Sequence, residues 1–539
     1  MQVNVMLKRS SIQLLTIVFL LCFQSLSAPE AKDLFSASED CAFCHTSTSR
    51  ALVDSQGNDL SIYHDWGSTM MANSFRDPVF RAKLESEQKR NPQLSKEIED
   101  KCLTCHTPMA RDQHIQDGAA GYSVEAAGKS GLASDGVSCT LCHQIQPLNL
   151  GTEASFSGHY TINDSREIYG PYKEVWVNPM LHHVNYRPVY GAQVHESALC
   201  GSCHTLFTPY LDNNGEIAGE FPEQTPYLEW LNSSYAAADG GRSCQDCHMP
   251  RIEEPIKITN RPPWLNSKQS PFWKHHFTGG NAFVLEMMRT HPEQTDLRAA
   301  DDDFRLTIKR TKRRLTEEAA AISLETELNE SNKLQVIVMV KNKTGHKFPS
   351  GFPVRRAWLQ LQVRDKSGNP IFDSGSWDET GEINGLDRGF EPHYDLITSA
   401  DQVQIYQAVM GDVDNNPTYT LLRASGFLKD NRLVPQGYSK SGPMAEHTKI
   451  TGKAGDDENY NKEAGIDGSG SDRVTYVITV DKGTFPLTVE SRLLYQSVPP
   501  RFIDDLLEDQ TPATRRLARM YSTMNREPLV VDSQSQVIQ

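Results

Sequence analysis

Five copies of Cys-x-x-Cys-His constrain this chain more than any other feature. They are Cys41, Cys44 and His45; Cys102, Cys105 and His106; Cys139, Cys142 and His143; Cys200, Cys203 and His204; and Cys244, Cys247 and His248. A chain with 11 cysteines and 17 histidines in 539 residues would hold roughly 0.007 such matches by composition alone, so five are not chance. Each copy reads as the attachment point of one haem. The two thiols add across the two vinyl groups of a single ring, the intervening pair sets their separation, and the adjacent imidazole ligates iron. Other uses of cysteine fail on the pattern. Zinc ribbons pair two knuckles and have no need of His after each. A redox dithiol occurs once, and disulfides would not select a trailing His five times. The expected cofactor is therefore five covalently attached haem c groups, with the five motif histidines as proximal ligands.

The eleventh cysteine, Cys22, falls in a segment that reads as a secretory signal over residues 1–28. Lys8 and Arg9 precede an apolar run from Leu14 to Phe23, and small residues at Ser25, Ser27 and Ala28 suit cleavage after Ser27. The run is shorter than the ~20 residues of a bilayer span. Bulky Leu20 and Leu21 argue against a lipid-modified Cys22. Export to the periplasm or beyond the cell follows, with no integral membrane span after signal removal. The formal net charge of -15 argues against a nucleic-acid partner and suits steering of basic redox proteins.

All motifs lie between residues 41 and 248, and residues 29–295 are predicted to form a mainly helical, loop-rich haem domain. That leaves roughly 50 residues per haem, so the cofactors should form much of the core. From about residue 296 the pattern changes. Phe304 to Ala321 reads as a helix whose basic run, Lys309 to Arg314, is expected to face solvent. Period-two segments then follow at 334–340, 357–363, 370–372, 403–408, 474–480 and 487–494. A long loop is expected over 451–471 and one terminal helix over 501–524. The predicted fold class is multidomain α+β, a cytochrome domain followed by an antiparallel β-sandwich with flanking helices over 296–539.

Each iron has a second axial position to fill, and twelve histidines remain outside the motifs. His195 leads into the fourth motif, His275 stands before a diglycine, and His159 follows Gly158. His346 occupies a tight loop between two predicted strands; as a ligand it would clamp the β domain onto the haem domain. Met71 is a further candidate, since a thioether ligand would raise the potential of its haem relative to a bis-histidine one.

Several of these segments resemble multihaem cytochromes of the cytochrome c-552/554 type. The resemblance rests on Trp66 to Phe80, Gly136-Val137-Ser138, Ser197 to Thr205, Glu229 to Ser233, Cys247 to Pro250, His275 to Asn281 and the Gly-His-x-x-Pro loop at His346. Relatives often carry Met-His-Ala where this chain has Met70-Met71-Ala72, which is why Met71 stands in for a histidine. The resemblance implies electron transfer outside the cytoplasm, in a respiratory chain or an extracellular conduit, between redox protein donors and acceptors. Two other functions remain open. One is a reductase or oxidase of a small nitrogen or sulfur compound at an open iron, and the other a haem-bearing subunit that assembles through its β domain. The expected role is a carrier rather than an enzyme.

Overall fold

The computed structural model describes residues 33–386 and 389–539, so the presumed signal, residues 1–28, lies outside the described part. Among the described residues no helix is long and apolar enough to cross a membrane.

Residues 33–300 form short helices joined by long turns. Four motifs place both cysteines on one helix, in Ser38–His45, Ser95–His106, Cys139–Cys142 and Cys244–His248, whereas in the fourth Cys200 lies in Ser197–Gly201 and Cys203 and His204 in the turn that follows. A three-residue spacing on a helix puts both thiols of a pair on one face. Local signals fix the ends: Ser243 and Asp246 form a capping box at the fifth motif. Asp77 caps the Pro78–Arg90 helix by accepting from the Val79 and Phe80 amides, with proline at the first helical position. The apolar clusters here are small, such as Leu34, Phe35, Met109, Leu141 and Ile145. No side-chain core fills the centre.

The helix expected from Phe304 onward spans Asp301–Arg314, its first turn acidic and its last basic, as the helix dipole favours. A π-helical turn, Leu315–Ala319, continues it to within two residues of the expected end, where Ala320–Leu328 joins a sheet. The basic run is also less solvated than expected. Arg310 pairs with the buried Asp65 at 2.7 Å, and Arg314 donates to the Cys247 carbonyl. This helix therefore packs against the motif-bearing region.

Ten strands build the sandwich: β1 Ala320–Leu328, β2 Lys333–Asn342, β3 Arg356–Arg364, β4 Pro370–Ser374, β5 Leu396–Ile397, β6 Ile405–Gly411, β7 Gly426–Asp430, β8 Ser471–Thr479, β9 Leu487–Gln496 and β10 Leu529–Ile538. One sheet runs β7-β6-β3-β9-β10 with β4 also on β3, and the other runs β5-β8-β2-β1. All pairs are antiparallel except β5 with β8. Val336, Val338 and Val340 meet Leu359, Leu361 and Val363 across the interior, all fully buried. Each such side chain contributes about 1.5–3 kcal/mol by burial. The other face of β3 is covered too: Trp358 packs on Ile383, Val403, Ile405 and Leu494.

Three stretches differ from expectation. The terminal helix is two helices, Pro500–Leu507 and Pro512–Tyr521, because Pro512 starts a new one capped by Thr511. Residues 451–471 include a short hairpin, Lys462–Glu463 with Ile466–Asp467. The last strand, β10, is an edge strand whose Asp-Ser-Gln-Ser-Gln centre lacks apolar alternation. The two terminal helices join the halves of the molecule. Phe502, Ile503, Leu517 and Met520 pack with Val79, Ala82, Val284 and Met287. Arg90 bonds Asp505 and Asp509 at 3.0 and 2.8 Å beside this cluster.

Candidate functional site

Where a core would be expected in the motif-bearing region there is a cavity of about 1420 Å³. Nine of the ten motif cysteines and all five motif histidines line it, among apolar neighbours such as Leu141, Ile168 and Phe272. All ten thiols are free. The motifs also touch. The Cys41 thiol lies beside that of Cys139, Cys105 beside Cys203, and Cys200 beside Cys244. The first motif therefore lies beside the third, and the fourth lies between the second and fifth.

Four of the five motif imidazoles are tied from behind. Nδ1 of His45 donates to the Ile258 carbonyl at 2.9 Å, and that of His106 to Ser74 at 3.0 Å. The same atom of His143 donates to Tyr169 at 2.6 Å, and of His248 to Thr278 at 2.7 Å. A proton held on Nδ1 leaves the Nε2 lone pair free, the tautomer a metal ligand requires. Burial pulls His106 down to about 4 and His248 to about 3, so both are neutral near pH 7. Phe80 stacks on the His106 ring, centroids 3.5 Å apart and planes 3° apart.

Two further histidines repeat this arrangement. Nδ1 of His275 bonds the Trp273 carbonyl at 3.1 Å, and that of His346 bonds the Lys347 carbonyl at 2.8 Å. His275 lies 6.4 Å from His143, centroid to centroid, with planes 21° apart. His346 lies 6.3 Å from His248 at 19°. An iron with an imidazole on either side, at bonds of about 2 Å, separates the ring centres by roughly 6 Å. The gap is too wide for direct ring contact and fits one metal ion. Paired thiols, neutral imidazoles with free Nε2 atoms and an apolar cavity are what covalent haem requires, so these residues fit the group.

The loop that carries His346 is held firmly. Asn342 donates to the His346 and Leu433 carbonyls, both at 2.8 Å. The buried Lys347 pairs with Asp430 at 2.6 Å. Glu229, from the motif-bearing region, accepts from the Lys347 amide at 3.0 Å and from Ser350 at 2.6 Å. The sandwich thus delivers its histidine into the cavity through a buried ionic network.

Other candidates fare differently. Met71 lines the cavity beside Met70, and its carbonyl accepts from the Val137 amide just ahead of the third motif. Gly136, at φ +58°, permits that approach, since a Cβ there would lie 2.5 Å from the Met71 carbonyl. His195 is not among the lining residues. Its loop is anchored by the buried Gln193, Val194 faces the cavity instead, and the imidazole packs on Trp273 at 4.3 Å. His159 is exposed and is not among the residues lining the cavity. Ser157 and Gly158 both take positive φ, so Gly158 rather than the histidine meets Thr104 and Cys105. Sequence reasoning missed Met180, which lines the cavity, and the bracing carbonyls, which have no side-chain signature.

A second buried cluster, His393, Asp457 and Asp472, lies in the sandwich. Nδ1 of His393 accepts from Gln404 at 2.8 Å and from Asn431 at 3.0 Å. Neither amide can turn over, because Gln404 Oε1 accepts from the Tyr394 amide and Asn431 Oδ1 from the Gln407 amide. The proton therefore sits on Nε2 and is donated to Asp457 at 2.9 Å. That is the tautomer opposite to the cavity histidines, and it leaves no lone pair for a metal.

Comparison with known proteins agrees with this geometry. Residues 40–144 match the family described as cytochrome c554 and c-prime. A pentahaem cytochrome c552 from Thermochromatium tepidum superposes with a TM-score of 0.52 at 17% identity, over 94% of this chain and 99% of that one. The fold is that of a multihaem cytochrome. No curated protein sequence matches. The structural likeness extends through the sandwich, so the multihaem cytochrome fold here includes the β domain that carries His346.

Proposed function

We propose that the chain binds five haems covalently and carries electrons along them between redox proteins outside the cytoplasm. The observation that carries this reading is the one cavity into which all five motifs open, with the first motif beside the third and the fourth between the second and fifth. When bound, haem supplies a reversible one-electron couple at each iron. The chain's own residues do the rest. The ten cysteines fix each ring, the motif histidines ligate from one side, and the carbonyls of Ile258, Ser74, Tyr169 and Thr278 keep four of those ligands in the binding tautomer. His275 near His143 and His346 near His248 would supply a second imidazole to two of the irons. The pentahaem nature of the Thermochromatium tepidum cytochrome c552 and the apolar run in residues 14–23 support the count and the export.

The test is a haem count by pyridine haemochrome and intact mass on the exported protein, with a low-temperature electron paramagnetic resonance spectrum of the oxidised form. Five haems per chain, all reducible, are expected. A count below five refutes the assignment. A high-spin ferric signal that shifts with nitrite, hydroxylamine or cyanide would replace the carrier by an enzyme.

A further inference from the structure

Among the described residues, four Phe, Tyr and Trp side chains are exposed, three on segments around the first motif and Tyr190 on the strand beside the third. They are Phe43, Trp176, Tyr190 and Trp264, at 48, 58, 44 and 64% exposure. Phe43 stands inside the motif itself, between Cys41 and Cys44. His183, at the end of the Val177–Val184 helix, stacks on it at 4.5 Å, and the Arg261 guanidinium covers it at 4.3 Å. Trp176 caps the other end of that helix and meets Trp264 edge-on at 5.9 Å. Lys173 lies over the Tyr190 ring at 5.4 Å. The helix has no fully buried residue, and its Met180 lines the haem cavity. It forms a thin wall between cavity and solvent.

The segments that surround the first motif are basic, while Glu39 and Asp40 open the motif helix itself. The chain carries a net charge of -15, yet residues 255–285 hold Lys257, Arg261, Lys268 and Lys274 and no carboxylate. Residues 168–190 add Lys173 and Arg187 against the single carboxylate of Glu174. The basic segment is also the one that braces the first motif. The Ile258 carbonyl accepts from His45 Nδ1, and the Asn260 amide donates to the Cys44 carbonyl at 2.9 Å. Solvent-facing aromatics with a guanidinium held over a ring are the residues that dominate protein–protein hot spots, and locally positive fields speed encounter with negative partners.

We propose that this face, built around Phe43, Trp176, Trp264, Arg261 and Lys173, docks a redox protein whose cofactor edge is ringed by carboxylates, making the first motif the port through which electrons enter or leave. The proposal rests on the electron-carrier reading above. It differs from the simplest expectation for an acidic chain, which would favour basic partners. Electrons pass between the partner's cofactor and the first haem, and no bond changes in the protein.

The experiment uses the haem-loaded protein and a reduced plant-type [2Fe–2S] ferredoxin as a strongly acidic probe, in stopped flow at low and high salt. Photoreduced lumiflavin, small and uncharged, serves as the control reductant. The combined Arg261→Glu and Lys173→Glu variant is expected to slow reduction by ferredoxin about tenfold or more at low salt, to lose most of the salt dependence, and to leave the lumiflavin rate unchanged. Trp176→Ala with Trp264→Ala is expected to slow the ferredoxin reaction at both salt concentrations. Equal ferredoxin rates in wild type and both variants overturn the docking face. Unaltered ferredoxin rates with loss of binding to phosphatidylserine vesicles in the tryptophan variant overturn it in favour of a lipid surface. Failure of lumiflavin itself to reduce the wild-type haems overturns the carrier reading, and the port falls with it.

Discussion

The two ends of this molecule solve the same problem, a stable interior, with different material. The sandwich fills its centre with side chains, from Val338 on β2 to Val489 on β9. The motif-bearing region has only small apolar clusters around a cavity of about 1420 Å³. Buried histidines show the contrast most sharply. In the cavity six of them, all but His204, are tied through Nδ1 and offer Nε2 to whatever lies inside. In the sandwich His393 is engaged through both nitrogens. Burial alone therefore does not make a ligand; the partner of the second nitrogen decides.

The largest test of that contrast is removal of the cofactor. Chain made without haem attachment should fold its sandwich and leave residues 33–300 without a core, since burial of haem surface replaces side-chain packing there. Hydrogen exchange read by mass spectrometry should then find β2, β3, β8 and β9 protected and the five motif helices exchanging freely. Equal protection in both halves would remove the proposed distinction. Next comes the loss of one ligand. His346→Ala should convert one haem from low-spin to high-spin ferric in the resonance spectrum while the count stays at five, and His275→Ala should do the same to another. His393→Ala should leave the haem spectrum unchanged. A spectral change in the His393 variant, or none in the His346 variant, would break the division.

How much of this was legible beforehand follows the same line. The motifs announced themselves because covalent attachment demands fixed residue types at fixed spacing. His275 and His346 were readable from their glycine-flanked loops, and the structure gives them the spacing of paired ligands. His159 sat in a similar setting but turned outward, because the left-handed Ser157 and Gly158 reverse the chain before it, and one-dimensional context cannot show which side of a turn faces inward. Val194 replaced His195 at the wall for the same reason. Strands with alternating Val and Ile were clear, whereas β10 was not, since an edge strand exposed on one side can be almost wholly polar. The bracing carbonyls could not be seen at all, because any residue supplies one.

A smaller effect separates His393 from a metal site directly. His393→Ala removes the partner of Asp457 and leaves two amide donors without an acceptor, and should cost about 1–3 kcal/mol in urea unfolding. Zinc added to the wild type should leave its unfolding midpoint unchanged, because the Nε2 proton occupies the position a metal would take. A rise in stability with zinc would show that the network can shed that proton, and would place His393 with the cavity histidines after all.

The smallest effect concerns the neighbouring Asp472. It accepts from Gln404 at 3.0 Å and Tyr406 at 2.8 Å through one oxygen, while the other is buried without a hydrogen-bond partner. Burial pushes its carboxyl up from 3.8 to about 6, against the opposing pull of His393 and Tyr406. Between those two values the folded protein holds a proton that the unfolded chain has released. Folding then takes up a proton, so this residue's contribution is fully present below the unfolded value and is lost as pH rises to about 6. Asp472→Asn cannot titrate, keeps an oxygen for Gln404 and Tyr406, and should abolish that slope, which for one proton is at most about 1.4 kcal/mol per pH unit. Urea unfolding of both proteins across this pH range should therefore show wild type losing stability relative to the variant as pH rises, and then a constant difference above it. A difference independent of pH would mean that Asp472 is already ionised in acid and that its second oxygen has a donor.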